Sequence, residues 1–201
     1  MELKLVGLSL ILISAILIFI SLIRKNEPFF NLRDVIIKHM KIFENCPFQY
    51  VIFYGFPLLF AIGLAMIYEA GSTFYSNLSV ILGILISMLF AILSILVGFD
   101  FSSVKDKEQQ NKAKNVIQET VNSIVFDSVL CLFLMLYGLV LIVLDGVNFV
   151  NFPIDISIIK SILSGISYYI FTVILLTLLL IIKHMSKIIE FNIKAKRDGK
   201  E

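Results

Sequence analysis

One acidic residue lies well inside a long apolar stretch of the chain. Asp127 belongs to the run 124–144 and sits roughly 7 to 8 Å past the polar boundary near Asn122, at 1.5 Å per helical residue. An ionised carboxylate at the centre of a bilayer costs about 2.5 to 3.5 kcal/mol and less near the interface, so we expect this side chain to face protein or water. Its depth suggests one of two roles. The first is an ion or proton site, or a gate, and the second is a structural hydrogen-bond cluster around a protonated acid.

Three hydroxyl-bearing residues fall at the same depth on other apolar stretches. Counted from the predicted inner boundary of each stretch, they are Ser94, Thr177 and Tyr54. Together with Asp127 they would form an intramembrane polar layer. The sequence leaves both interpretations of that layer open.

No constellation of residues indicates catalysis. Intramembrane proteolysis, zinc hydrolysis and phosphoryl transfer need a nucleophile with a base, histidines at i and i+4, or a glycine-rich phosphate loop. His39 and His184 are far apart and lack an H-E-x-x-H context, and the run 164–167 is not a G-x-S-x-G elbow. We therefore expect a protein that is not an enzyme and that binds no metal or cofactor.

The composition indicates that these residues are carried by membrane helices. Hydrophobic residues make up 59% of the chain and charged residues only 16%, against the quarter that is usual in soluble domains. Strands with open edges are excluded because lipid leaves their backbone groups unpaired. We predict one all-α membrane domain over 1–201, with five spans at about 5–23, 51–68, 78–99, 124–144 and 162–182.

Basic residues predict how the spans are oriented. All but two of the 17 lysines and arginines fall in the segments 24–50, 100–123 and 183–201, and the exceptions are Lys4 and Lys160. Because cytoplasmic segments carry the excess of basic residues, this pattern predicts an N-terminus outside and a C-terminus inside. The net charge of only +2 argues against direct nucleic-acid binding.

The segment 24–50 contains a predicted amphipathic helix that starts near Asn31 and ends before Pro47. Its apolar residues are Leu32, Val35, Ile36, Met40 and Phe43, and its basic residues are Arg33, Lys38 and Lys41. We expect this helix to lie on anionic lipid headgroups. The alternative is a short connector packed under the bundle.

The other two cytoplasmic segments are predicted to extend spans four and five as helices. No proline or glycine interrupts 107–137, so a continuous helix into span four is expected. The tail carries a basic flank of Lys187, Lys194, Lys196 and Arg197. These surfaces predict a soluble cytosolic protein partner or assembly of subunits, and the alternative is that the charge serves only topology.

Span three carries small residues on one face. They are Ser79, Gly83, Ser87, Ala91, Ser94 and Gly98. Small residues let membrane helices approach closely, so we expect a packing seam and a homo-oligomer. The sequence does not decide whether this seam is used within or between subunits.

The layout from Leu5 to Lys200, rich in Ile, Lys, Asn and Phe and without Trp, is typical of a bacterial inner-membrane protein. It resembles the membrane subunit of Kiwa-type two-gene anti-phage defence systems. The resemblance implies four spans, a homotetramer, sensing of membrane disturbance during infection and docking of a soluble DNA-binding companion. It carries over no residue roles.

Two functions follow as hypotheses. The first is a non-enzymatic membrane sensor, anchor or effector that oligomerises and presents basic helices to a soluble partner. The second is a subunit of a small oligomeric ion channel or transporter, with the polar layer around Asp127.

Overall fold

The computed structural model describes residues 32–44, 47–98, 107–145 and 156–198, together with Gly7 and Ile13. All regular structure in these ranges is helical, which confirms the all-α prediction. The helices are α1 Leu32–Met40, α2 Pro47–Ile67, α3 Ser72–Val97, α4 Lys107–Asp145 and α5 Ile156–Asp198, with a 3-10 turn at Lys41–Phe43.

Four of these helices, α2 to α5, are long and apolar enough to cross a membrane. They correspond to predicted spans two to five. The first predicted span, 5–23, lies outside the described residues apart from Gly7 and Ile13, both of which are helical. The described part of the chain therefore has the helices of a multi-pass membrane protein.

Helices α4 and α5 are much longer than a bilayer requires. Their 39 and 43 residues reach about 58 and 64 Å, roughly twice the 30 Å of hydrocarbon. The predicted continuation of both spans into polar segments is confirmed, since neither helix is interrupted. At the start of α4, an ion pair of 2.6 Å joins Lys112 and Glu108 at i, i+4 spacing.

Most buried residues of α4 recur alternately every four and three positions. This series is Ala113, Ile117, Thr120, Ile124, Asp127, Cys131, Leu134, Gly138 and Leu141, and the other buried residues, Ser123, Phe126 and Ser128, are adjacent to it in the sequence. On α5, Ser167, Ile174, Ile181 and Ile188 are buried at seven-residue spacing. This periodicity is that of knobs-into-holes packing, so α4 and α5 form a coiled-coil-like central pair.

Three contacts fix the antiparallel register of this pair. Lys160 bonds to Asp145 at 3.0 Å, the Tyr137 hydroxyl donates to the Leu163 carbonyl at 3.1 Å, and His184 lies 3.8 Å from Glu119. Lys160 also lies 3.9 Å from Glu69 beyond α2. The ends of α2 and α4 and the start of α5 therefore meet, and we name this the Lys160 end; the opposite end is the basic end.

The outer helices pack on the central pair through small residues. A Cβ at Gly138 would lie 3.4 Å from Tyr75 Cδ1, so the glycine lets the tyrosine ring of α3 pack against α4. A Cβ at Gly165 would lie 3.4 Å from the Ala65 Cβ, which brings α2 close to α5. These contacts place α3 and α2 beside α4 and α5 respectively.

Candidate functional site

Asp127 occupies a core position of the central helix pair. Its side chain has no exposed surface, and it lies one turn from Cys131, which is also fully buried. No described residue hydrogen-bonds to either carboxylate oxygen, and the Ser128 hydroxyl beside it is also without a partner among those residues. Asp127 is thus a buried acid whose oxygens have no hydrogen-bond partner in the described part of the chain.

The structure does not join the three predicted hydroxyls to this acid. Ser94 is exposed on α3 and donates to the Phe90 carbonyl at 2.9 Å. Thr177 is buried on α5 and donates to the Val173 carbonyl at 3.0 Å. Serine and threonine in helices commonly satisfy themselves on the carbonyl four residues earlier, and that local bond replaces the predicted contact.

The third hydroxyl residue, Tyr54, belongs to an aromatic cluster at the basic end of the bundle. Its ring contacts those of Phe43 and Phe53, with centroids 6.4 and 5.2 Å away. Phe126, adjacent to Asp127 in α4, joins the same cluster. Tyr54 therefore lies near the level of Asp127, but no described hydroxyl bonds to that carboxylate.

His39 lies at the centre of this aromatic cluster. The sequence did not predict that this histidine is buried there. Its ring is fully buried and stacks on Phe126 at 4.0 Å, with Phe43 and Phe53 at 5.7 and 5.9 Å. Neither ring nitrogen has a hydrogen-bond partner among the described residues. Burial lowers the pKa of His39 from 6.5 to about 4, so the ring is neutral at pH 7.

One face of α1 packs against the bundle. Its buried side chains are His39 and, in the following turn, Phe43, which pack on α2 and α4, whereas Ile36 and Met40 are exposed. The helix is packed against the bundle, as in the alternative interpretation. The signal for this was the spacing of Val35, His39 and Phe43, which lie four residues apart on one face.

The basic residues of α1 and of the 3-10 turn that follows it are on the outer side. Arg33, Lys38 and Lys41 are all exposed. They surround the buried face at the basic end of the bundle. This arrangement leaves their charges available to anionic headgroups while the helix itself is held by aromatic contacts.

Comparisons with known proteins give no basis for assigning a function, so any assignment rests on the contacts within this chain. No protein-family model, curated protein or solved structure matches it.

The basic end also carries an exposed apolar surface on α5. Ile189 and Ile193 are 55% and 56% exposed and lie one turn apart. Lys183 and Lys187 are also exposed, on the preceding turns of the same helix. Lys194, Lys196 and Arg197 continue the same helix. We name Ile189, Ile193, Lys183 and Lys187 the α5 surface.

The predicted small-residue seam of α3 is not packed against the described bundle. Ser87, Ala91, Ser94 and Gly98 are exposed, and a Cβ at Gly83 would meet nothing within 4 Å. Ser79 and Gly83 are half-buried at its margin. The buried side of α3 is made by leucines on the other face, namely Leu78, Leu82, Leu89 and Leu96.

Among the described residues, no group of three histidine, cysteine, aspartate or glutamate side chains could hold a metal ion. What these residues offer is a closed helix pair with an unpaired acid, an aromatic site around a neutral imidazole, and two exposed helix faces. The two buried groups, Asp127 and His39, are titratable side chains, and the two exposed faces are accessible to other molecules.

Proposed function

We propose that this chain is a non-enzymatic, multi-pass protein of the bacterial inner membrane that holds a docking surface for an acidic cytosolic protein. The observation that carries the proposal is the exposure of Ile189 and Ile193 on a helix that also exposes Lys183 and Lys187. Ile189 lies about 10 Å along the helix axis beyond Ile182, where the predicted span ends. With the span ending at Ile182 as predicted, these exposed apolar side chains would lie outside the hydrocarbon, where they favour a protein-binding site.

The chemistry of the α5 surface defines the kind of partner. An apolar ridge on a helix fits a hydrophobic groove or a second amphipathic helix. The exposed lysines of the same helix favour an acidic partner, since complementary charge steers association and selects the partner. In anti-phage defence, such a partner would be the soluble, DNA-binding companion of a membrane sensor.

The proposed topology has five spans, with the N-terminus outside and the basic end in the cytosol. Lys160 lies with Asp145 and Glu69 at the opposite end of the bundle from Arg33 and Lys187, which supports the orientation. A fifth span over 5–23 completes it.

Oligomerisation through α3 is the second element of the proposal. The seam of small residues is exposed in the single chain, and its serine hydroxyls bond within their own helix. A neighbouring helix can therefore approach closely without leaving polar groups unpaired. A homo-oligomer would place several α5 surfaces under one patch of membrane.

The central helix pair gives this assembly a means of sensing. Because α4 and α5 run uninterrupted from the apolar region to the basic end, a change in their packing within the bilayer would move the α5 surface. Asp127 weakens the closed packing, since its buried carboxylate has no partner among the described residues. Membrane disturbance would thereby reach the docked partner.

The experiment compares two charge-matched double variants of the full chain in native membranes. Ile189→Glu with Ile193→Glu places two acids on the α5 surface, and Asn115→Glu with Gln118→Glu places two acids on exposed positions of α4. The protein that co-purifies with the natural chain is isolated and titrated against each form in nanodiscs. We expect an affinity loss of at least tenfold for the α5 variant alone. Equal binding by all three forms would refute the proposal.

A second candidate function is a subunit of a small oligomeric ion channel or transporter. The unpaired Asp127 favours it, because ionisable residues inside membranes mark ion and proton pathways. Ion flux into liposomes containing the purified chain tests it, with Asp127→Asn as the variant. Flux that is lost in the variant supports a channel, and an absence of flux in the natural chain excludes it.

A further inference from the structure

A groove of about 390 Å³ lies at the basic end of the bundle, between α1, the turn that follows it and the start of α2. Its lining consists of four apolar or aromatic side chains, one cation and one anion, namely Ile37, Met40, Phe43, Tyr50, Lys41 and Glu44. Ligand sites are typically concave and mostly apolar, with a few polar groups that fix the orientation of the ligand. This lining therefore suits a molecule that joins an apolar chain to a charged group.

The aromatic residues of the groove are held in place by α2. The Phe43 ring packs against that of Phe53, with centroids 4.8 Å apart, and the Tyr50 ring lies 4.9 Å from that of Tyr54. Phe43 is buried by these contacts, whereas Tyr50 remains exposed. Because its aromatic walls are already ordered, the groove needs little rearrangement to accept a ligand.

The two charged residues of the groove lie one turn apart on the same side. The Glu44 amide donates to the Lys41 carbonyl at 3.2 Å, and residues three apart in a 3-10 turn are aligned above one another. Both side chains are exposed, and neither forms an ion pair with another residue in the described part of the chain. A ligand that carries neighbouring positive and negative groups can therefore meet both charges at once.

The groove lies at the level predicted for lipid headgroups. Tyr50 directly precedes the predicted start of span two at residue 51, and tyrosines are enriched at the membrane–water interface. Arg33 and Lys38 are exposed on α1, where their charges attract this end of the bundle to the membrane surface. The molecules most abundant at this level are phospholipids, which have both of the chemical features that the lining requires.

We propose that this groove binds one phospholipid with a phosphoethanolamine headgroup. Lys41 binds the phosphate, Glu44 binds the ammonium group two carbon atoms away from it, and an acyl chain lies on Ile37, Met40 and Tyr50. Hydrogen bonds between ionised partners are stronger than neutral ones, so the two charged contacts fix the headgroup.

The same pair of charges discriminates between headgroups. An anionic headgroup such as phosphoglycerol would meet Lys41 but would also lie against the Glu44 carboxylate, which opposes its binding. A phosphocholine headgroup has no N–H to donate to Glu44 and loses that hydrogen bond. Selectivity for phosphoethanolamine is therefore the property that distinguishes this site from a general apolar surface.

This inference does not depend on the proposed docking of a cytosolic protein, and lipid competition on the full chain tests it. The chain is purified in detergent and mixed with equal amounts of phosphatidylethanolamine, phosphatidylglycerol and phosphatidylcholine that have identical acyl chains. The lipids retained per chain are then counted by native mass spectrometry. Lys41→Gln and Glu44→Gln each remove one groove charge, and Lys38→Gln is the control, since it removes the same charge as Lys41→Gln from an exposed position of α1 outside the lining.

We expect the natural chain and Lys38→Gln to retain phosphatidylethanolamine at least tenfold more than either other lipid. Lys41→Gln should retain at least tenfold less of it, and Glu44→Gln should shift retention towards phosphatidylglycerol. A preference of the natural chain for phosphatidylglycerol would overturn the inference in favour of an anionic lipid. Equal retention of the three lipids, retention of none, or the same selectivity in all variants would show that Lys41 and Glu44 select no headgroup and would also overturn it.

Discussion

The imidazole ring of His39 lies parallel to the phenyl ring of Phe126, with 4.0 Å between centroids and 5° between planes. This stack joins α1 to the α4 helix, next to the buried Asp127. Because the imidazole is fully buried and neither nitrogen has a described partner, only the neutral ring is compatible with it. The attachment of α1 is therefore linked to pH.

Acidification is expected to loosen α1. Burial lowers the pKa of docked His39 to about 4 from 6.5, so docking is complete above pH 6.5 and weakens as pH falls from 6.5 towards 4. The ionisable groups beside the cluster are Tyr54 and Tyr169, which are neutral in this range, and the neighbouring Asp127. Hydrogen exchange of residues 32–43 should be about 20-fold faster at pH 5 than at pH 7, after correction for intrinsic rates.

The control for this pH dependence is His39→Phe, which keeps an aromatic ring at the stack. Its corrected exchange rates should be the same at pH 5 and pH 7. If His39→Phe kept the full pH dependence of the natural chain, a titratable group other than His39 would control the docking of α1.

Truncating Phe43 should detach α1 while leaving the bundle folded. Phe43 is buried against Phe53 with centroids 4.8 Å apart, and removing a buried phenyl group costs about 3 to 5 kcal/mol. In Phe43→Ala, hydrogen exchange should rise in 32–43 and stay unchanged in α4. Ile36→Ala, on the exposed side of α1, is the control. Equal exchange in both variants would mean that the cluster does not hold α1.

Replacing Asp127 with leucine should stabilise the chain. The carboxylate is fully buried and unpaired among the described residues, and an unsatisfied buried polar group costs about 1 to 3 kcal/mol. Asp127→Leu should raise the unfolding midpoint in detergent, whereas Asp127→Asn, which keeps a polar group there, should raise it less. A lower midpoint for the leucine variant would indicate that the carboxylate has a stabilising partner.

Enlarging Gly83 should disrupt the assembly and leave the single chain intact. A Cβ at this position would meet nothing within 4 Å in the single chain, so we expect Gly83→Leu to interfere mainly with a neighbouring copy. Light scattering of the purified protein should show a smaller assembly for Gly83→Leu than for the natural chain. Ile81→Leu, at an exposed position on the same helix, should have the mass of the natural assembly. Unaltered mass in both variants would exclude α3 as the interface.

Periodicity and uninterrupted sequence predicted the helices, because these properties are local. The absence of proline and glycine before Gly138 was enough to predict a continuous α4. The polar layer was less predictable, since counting along a helix gives depth but not rotation. Ser94 is at the expected depth and yet is exposed on the side of α3 away from its buried leucines.

His39 illustrates a different limit. A histidine beside basic residues on a short helix is expected to lie on the surface. The burial of His39 depends on Phe53 and Phe126, which belong to other helices. Only the packed arrangement of those helices brings three aromatic rings around the imidazole. The sequence contained the spacing of that face but not the partners that cover it.

The account depends most on the two ends of the bundle lying on opposite sides of the membrane. Single cysteines replacing Lys160 and Lys187, in a Cys46→Ser background, can be labelled with an impermeant maleimide. In intact cells position 160 should react and position 187 should not, and both should react once the membrane is permeabilised. Equal labelling of the two positions in intact cells would contradict the topology and the proposed cytosolic docking surface.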